Sequence, residues 1–180
     1  MIKNLETLKY PIGTFQKPIT ISENDLKTWI LTIENFANQI KLVTENLTIE
    51  QLNLHYRPEG WTIKQVVHHC ADSHMNAYIR TKLALTELLP VIKPYNEAVW
   101  ANLIDGNTDS ISDSILILQG VHSRWSLLLK NLNASDFEKE YYHPENNQNY
   151  KLNEVVGLYA WHCNHHFAHI EQGLKYSGKF

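Results

Sequence analysis

The amino-acid sequence predicts an all-α protein, a four-helix bundle with a short hairpin or irregular loop before the last helix. Four long segments carry apolar residues at helical spacing. Loops of unequal length, several with proline or glycine, separate these segments. A chain of 180 residues forms one domain with a sizeable hydrophobic core. Because four amphipathic helices bury their apolar faces most simply against one another, we expect a single domain over 1–180.

The N-terminal part of the chain contains an arm and the first long helix. Two prolines and a glycine interrupt any helix in residues 1–21, so this segment is predicted to be an extended arm laid over the body. Ser22 with Asp25 three residues later has the pattern of a capping box. This pattern predicts a first long helix over 23–46, on which apolar residues recur at helical spacing.

The second and third long helices follow from similar signals. Thr62 and Gln65 repeat the capping pattern and begin a helix over 63–89, which Pro90 ends. A third helix is predicted over 112–131, with its apolar residues along one side.

Two shorter elements and the last long helix complete the prediction. Residues 97–103 are compatible with a short helix. Residues 138–152, rich in tyrosine and asparagine, form either a hairpin or an irregular loop. Asn153 is predicted to cap the last helix, which spans about 154–176.

Composition excludes several classes of function. The net charge is −3 and the basic residues are scattered, so no nucleic acid or anionic membrane is expected as a partner. No apolar run is long enough to span a bilayer, and the N-terminus lacks the apolar core of a signal peptide. The two cysteines, Cys70 and Cys163, are too few for a secreted disulfide scaffold. We expect a cytoplasmic protein in which both are reduced thiols that fill the core.

Seven of the ten histidines fall in two short segments, 68–74 and 162–169. Imidazole is the commonest metal-binding side chain, and residues four apart on a helix share a face. With about 100° of turn per residue, His162 and His166 lie about 40° apart on the apolar side of the last helix. His165 and His169 are the second choice of pair. Because two unpaired imidazoles would be costly to bury, the pair favours a metal site over packing histidines.

Periodicity leaves the ligand from the second long helix open. His69 lies at the edge of the apolar stripe, His74 lies closer to its centre, and His68 points further away. The glutamate of the HExxH metalloproteases is absent, so that chemistry is not predicted.

Two segments carry a family resemblance, Trp61–His74 and Tyr159–Ile170. They resemble the DinB/YfiT superfamily, and most closely its YfiT branch of candidate metal-dependent hydrolases. The resemblance extends in order over most of the chain, through the motifs Arg57-Pro58-x-Gly60-Trp61, Tyr78-Ile79-Arg80, Lys93-Pro94-Tyr95 and Tyr142-His143-Pro144.

The resemblance implies a four-helix bundle, often a homodimer, that holds one divalent ion per chain. The family takes one histidine from the second long helix, eight residues after the tryptophan, and two from the Trp-His-x-x-x-His motif of the last helix. These positions are His69, His162 and His166. The ion is usually zinc or nickel, and a ligand set of histidines alone permits either.

Three imidazoles leave coordination positions open, which is typical of catalytic sites. Hydrolysis also needs a proton acceptor or shuttle, for which His165 and Asp72 are candidates. Asp72 lies three residues after His69 and can instead orient that ligand. Arg80 is a candidate for binding the carboxylates of a small thiol.

Three functions are therefore compatible with the sequence. The first is a metal-dependent hydrolase of a small molecule. The second is a metal-dependent thiol S-transferase of the bacillithiol type, acting in detoxification. The third is a non-catalytic protein that binds a metal or a ligand. Thiol-dependent loss of an electrophile would favour the second, and an intact site without turnover would favour the third.

Overall fold

Four long helices dominate the computed structural model, which describes residues 4–180. They are α2 (Glu23–Thr44), α4 (Ile63–Thr86), α6 (Ser112–Lys130) and α8 (Leu152–Tyr176). The shorter elements are α1 (Leu5–Lys9), α3 (Ile49–Leu52), α5 (Glu97–Trp100), a 3-10 turn (Asp105–Asn107), α7 (Ala134–Phe137), β1 (Glu140–His143) and β2 (Gln148–Lys151).

The four long helices pack as the predicted bundle. Helix α2 packs against α6 and α8, and α4 packs against the same two helices, so α2 and α4 occupy diagonal corners. The core between them is apolar, with Phe36, Val66, Trp125 and Ile170 fully buried. None of the helices within residues 4–180 combines the length and apolar character needed to cross a membrane.

The predicted capping signals begin the first two long helices. Ser22 and Asp25 form a reciprocal capping box at α2, and Thr62 and Gln65 form another at α4. Each box satisfies backbone N–H groups that have no partner inside the helix. Helix α4 ends at Thr86, a few residues before the predicted end, and α2 ends at Thr44.

The start of α8 corrects the sequence prediction. The helix begins at Leu152 with Lys151 as its N-cap, and Asn153 lies inside the helix instead of capping it. The N–H of Leu152 donates to the carbonyl of Lys139, and the Leu152 side chain is fully buried. Because this burial fixes Leu152 in the core, strand β2 passes directly into the helix.

The N-terminal arm is only partly extended. Leu5–Lys9 form α1, where an extended chain was predicted, and the Asn4 side chain accepts a hydrogen bond from the N–H of Glu6. Both α1 and the chain that follows it lie over α8. The side-chain amide of Gln172 donates to the Leu8 carbonyl at 2.9 Å, and Trp161 Nε1 donates to the Gly13 carbonyl at 3.2 Å.

The segment before α8 is a hairpin, one of the two predicted possibilities. Strands β1 and β2 are antiparallel, with Tyr141 opposite Tyr150. Two backbone hydrogen bonds fix the hairpin to the loop after α4. The N–H of Ile92 donates to the carbonyl of Tyr142, and the N–H of Tyr142 donates to the carbonyl of Pro90. Cys70 and Cys163 are free thiols buried in the core, as expected.

Candidate metal centre

Three histidines from two helices converge at one end of a cleft. His69 comes from α4, and His162 and His166 come from α8. One ring nitrogen of each lies within 4.8 Å of the others, and the Nε2 atoms of His69 and His162 are 3.4 Å apart. The structure therefore brings together the three residues that the family resemblance selected as ligands.

Local packing explains why α4 and α8 approach so closely here. His162 and His166 are one turn apart and share a face of α8. Gly173 faces the start of α4, where a Cβ on this glycine would lie 3.1 Å from a side-chain carbon of Ile63. The missing side chain lets the two helices come close enough for His69 to meet the pair.

The donor set fits a divalent ion. A tetrahedral ion with zinc–nitrogen bonds of 2.0–2.1 Å holds its ligand nitrogens about 3.4 Å apart, which matches the separation of His69 and His162. Burial lowers the pKa of His69 to about 4. Burial and the neighbouring histidines hold the pKa of His162 and His166 well below the usual value. At neutral pH all three rings are uncharged, as metal ligands must be.

The three nitrogens face a cleft of about 290 Å³ that opens to solvent. Aromatic side chains form its walls, and Lys9, Arg57 and Glu97 bring charges to it; the aromatic residues are Tyr10, Tyr56, Trp61 and Trp161. The N-terminal arm supplies Lys9 and Tyr10, so its attachment to α8 also shapes the cleft.

His165, predicted as a catalytic residue, lines this cleft. Its ring stacks on Trp161 with centroids 4.4 Å apart and on Tyr10 at 5.8 Å. Its Nδ1 is buried and has no hydrogen-bond partner within residues 4–180. Burial lowers the pKa of His165 to about 4, so the ring is neutral and able to accept a proton.

Asp72 and Arg80, the other two predicted catalytic residues, do not line the cleft. Asp72 is half-buried, and burial together with the nearby Asp105 raises its pKa to about 6. Its carboxylate makes no hydrogen bond to His69 in the part of the chain that the structure describes. Arg80 donates to the Lys93 carbonyl at 2.8 Å and lies 6.0 Å from the ring of Tyr95.

The two alternative histidines of α4 have other partners. His68 contacts Ser114 Oγ at 2.7 Å and the Thr108 carbonyl at 3.0 Å, away from the cleft. His74 is fully buried and lies between His162 and His122.

Sequence reasoning missed His122 and Glu97. His122 falls among the apolar residues of α6, where a histidine gives no separate signal. Glu97 begins the short helix α5 and lines the cleft, although much of it is exposed. Partial burial raises the pKa of Glu97, while the nearby Arg80 opposes that shift.

Comparisons with known proteins agree with the fold. A sequence profile of the DinB superfamily matches residues 33–170. A candidate metal-dependent hydrolase of Bacillus licheniformis is 44% identical over 174 residues, covering 97% of this chain and 99% of that protein. YfiT of Bacillus subtilis, named in the same way, is 44% identical over 165 residues, covering 92% and 93% of the two chains.

A solved structure of Bacillus subtilis YfiT superposes with a TM-score of 0.92 at 43% identity, covering 96% of this chain and 98% of the other. That protein is described as a probable metal-dependent hydrolase with an unusual four-helix bundle topology. The superposition over 96% of this chain shows that the two proteins share one overall fold.

Proposed function

The chain belongs to the DinB superfamily, and we propose that it is a metal-dependent hydrolase of a small molecule. One zinc or nickel ion is held by His69, His162 and His166. The observation that supports this proposal is the convergence of three neutral imidazoles at a cleft, with no fourth histidine, cysteine or carboxylate grouped with them within residues 4–180. Open positions distinguish catalytic from structural zinc sites.

A divalent ion in this site supplies Lewis-acid activation of water and of a substrate carbonyl. The residues of the chain then accept and return protons. Glu97 has a raised pKa, which brings it closer to the neutral range in which a general base works best. His165 offers an unpaired Nδ1 in the same cleft and is the second candidate. The stacked rings of Trp161 and Tyr10 shield His165 from bulk water.

The size and charge of the cleft restrict the substrate. A volume of about 290 Å³ accommodates a small molecule rather than a polymer. Arg57 lines the cleft, and its guanidinium donates to the carbonyl of Pro58 and to the hydroxyl of Tyr56. Lys9 lines it as well and pairs with Glu6 at 2.8 Å. The two cations and the doubly charged ion outweigh the carboxylate of Glu97 in this cleft, which favours a substrate that carries an anionic group.

Thiol S-transfer is the second candidate function, and the same two cations support it. Carboxylates of a small thiol can pair with Arg57 and Lys9, while the ion stabilises the thiolate. Hydrolysis and thiol transfer use the same ligands and differ in the nucleophile.

The test is a paired activity screen of protein purified without a histidine tag and loaded with one equivalent of zinc or nickel. Activated esters and amides are offered alone, and an electrophile is offered with and without a small thiol. Hydrolysis without thiol that disappears in His162→Ala supports the proposal. Loss of the electrophile only with thiol supports the second candidate. Metal binding without either activity overturns both and leaves a binding protein.

We also propose that the protein is a homodimer, as the resemblance to its family implies. Light scattering of the purified protein measures its mass in solution, and a monomer would contradict this assignment.

A further inference from the structure

Behind His162, a chain of imidazoles crosses the bundle. Nδ1 of His162 lies 2.9 Å from Nε2 of His74. Nδ1 of His74 lies 2.7 Å from Nε2 of His122. Nδ1 of His122 contacts the backbone carbonyl of Ile33. The chain therefore links α8, α4, α6 and α2, one residue from each long helix.

The carbonyl at the end of the chain determines the direction of every hydrogen bond. A carbonyl oxygen can only accept, so Nδ1 of His122 carries the hydrogen. A neutral imidazole has one N–H, so Nε2 of His122 accepts and Nδ1 of His74 donates. By the same rule, Nε2 of His74 accepts from Nδ1 of His162. The lone pair of His162 is then on Nε2, the atom that faces His69.

The surroundings of His74 and His122 keep both rings neutral. Both are almost completely buried, and the rings of Phe36 and Trp125 pack around them. Burial lowers the pKa of His122 to about 4. His74 has no exposed surface through which water could stabilise an imidazolium ion. The carbonyl of Ile33 opposes the pKa shift at His122, but burial is the larger effect, and no carboxylate acts on either ring.

A second, shorter chain gives the same result at His166. Nε2 of His169 lies 3.0 Å from the carbonyl of Lys9, so this nitrogen donates. Nδ1 of His169 then accepts, and it lies 3.4 Å from Nδ1 of His166. This leaves Nε2 of His166 with its lone pair free.

We infer that His74 and His122 are positioning residues that fix the Nδ1–H tautomer of His162, and so direct its Nε2 lone pair to the metal site. Metal-binding histidines usually donate their second N–H directly to a carboxylate or a carbonyl. Here two neutral imidazoles stand between the ligand and the carbonyl of Ile33. Through these two rings, the carbonyl of Ile33 determines which nitrogen of His162 carries the hydrogen, and no negative charge is added to the site.

Nitrogen NMR of the metal-free protein tests the tautomers directly. In protein labelled with ¹⁵N-histidine, long-range ¹H–¹⁵N spectra distinguish Nδ1–H from Nε2–H rings. We expect Nδ1–H for His162, His74 and His122. An Nε2–H ring at His162 would overturn the inference, and this measurement on the unaltered protein needs no variant.

Zinc affinity tests the consequence, which rests on the proposed metal site. His74→Leu removes the acceptor for His162, and we expect a 10- to 100-fold weaker zinc affinity, as is usual when such a partner is lost. The matched control is His68→Leu, a buried histidine of the same helix whose two hydrogen bonds do not involve a ligand. Unchanged affinity in a folded His74→Leu protein would contradict the inference.

If His74→Leu does not fold, His122→Leu takes its place, because it leaves His74 beside His162 and removes only the link to Ile33. A mixture of tautomers at His162 is then expected, and a uniform Nδ1–H ring would contradict the inference. The two proposals fail separately. Zinc binding with Nε2–H at His162 overturns the tautomer assignment alone, and Nδ1–H without zinc binding overturns the metal site alone.

Discussion

Nε2 of His69 lies 3.4 Å from Nε2 of His162, although 93 residues separate the two along the chain. The contact depends on the packing of α4 against α8 and on Trp61, whose ring centroid is 4.7 Å from that of His69. Two neutral imidazoles gain little from facing each other across this distance. A cation bound between the two rings would make this arrangement stabilising.

Replacing any ligand with alanine should therefore remove the metal without unfolding the bundle. We expect about one zinc or nickel ion per chain in the unaltered protein and a large loss in His69→Ala, His162→Ala and His166→Ala. Elemental analysis measures the metal, and circular dichroism measures helix content, which should persist because the three rings border an open cleft.

His143→Ala is the control for this experiment, because His143 lies on β1 and does not line the cleft. It should keep its metal. Full metal content in both His162→Ala and His166→Ala would disprove the ligand assignment.

The metal-free protein should lose stability as the pH falls from about 6.5 towards 4. His69 and His122 have pKa values of about 4 when folded, because burial disfavours their charged forms. In that pH range the unfolded chain binds protons that the folded chain does not. Each such histidine therefore lowers the free energy of unfolding by up to about 1.4 kcal/mol per pH unit, and above about pH 6.5 the effect is absent.

Urea denaturation of metal-free protein across this range measures the slope. His122→Leu removes one of these histidines, so its slope should be shallower by about one proton. An equal slope in the two proteins would show that His122 takes up its proton as readily in the folded protein as in the unfolded chain.

The parts of this structure that could be predicted from sequence are those fixed within one segment. The boxes of Ser22 with Asp25 and of Thr62 with Gln65 are local, and both form. The pair His162 and His166 is set by helical spacing alone. By contrast, choosing among His68, His69 and His74 requires the rotation of α4 about its axis. That rotation depends on packing with other helices, so only the family resemblance pointed to His69.

Features that depend on distant packing were missed or misplaced. Helix α8 begins at Leu152 because that side chain is buried, whereas capping preference alone pointed to Asn153. Asp72 was placed near the site by its distance from His69 along α4, and Arg80 by its position on the same polar edge of the helix as His69. The side chains of both lie outside the cleft. Glu97 enters the cleft from a short helix after a proline-containing loop, whose path no periodicity describes.

Two glycines inside long helices should respond to alanine in opposite directions. At Gly157 of α8, a Cβ would lie 2.9 Å from Cζ3 of Trp29, closer than carbon atoms pack. Gly157→Ala should lower the free energy of unfolding by about 1–3 kcal/mol through overpacking. At Gly120 of α6, a Cβ would meet no atom within 4 Å. Gly120→Ala should raise stability by up to about 1 kcal/mol because alanine favours a helix.

Urea denaturation of the two variants, side by side, provides the comparison. The same direction of change in both would mean that contact with Trp29 does not decide the effect at Gly157.

Glu97→Gln should slow hydrolysis while leaving the metal in place. The carboxylate lines the cleft but is not grouped with the three ligand histidines, so its removal should not alter metal content. Glutamine has nearly the same shape and cannot accept a proton, and loss of a general base costs about 10²–10⁴-fold in rate. The measurement is kcat with the ester or amide that the screen identifies, alongside elemental analysis.

Glu87→Gln is the matched control, because this exposed carboxylate lies outside the cleft and does not contribute to the pKa of Glu97. It should keep its full rate. If Glu97→Gln retains the rate as well, the proton acceptor is His165, and His165→Phe should then show the loss while preserving the stack on Trp161. Full activity in both variants would exclude Glu97 and His165 as the proton acceptors in this cleft.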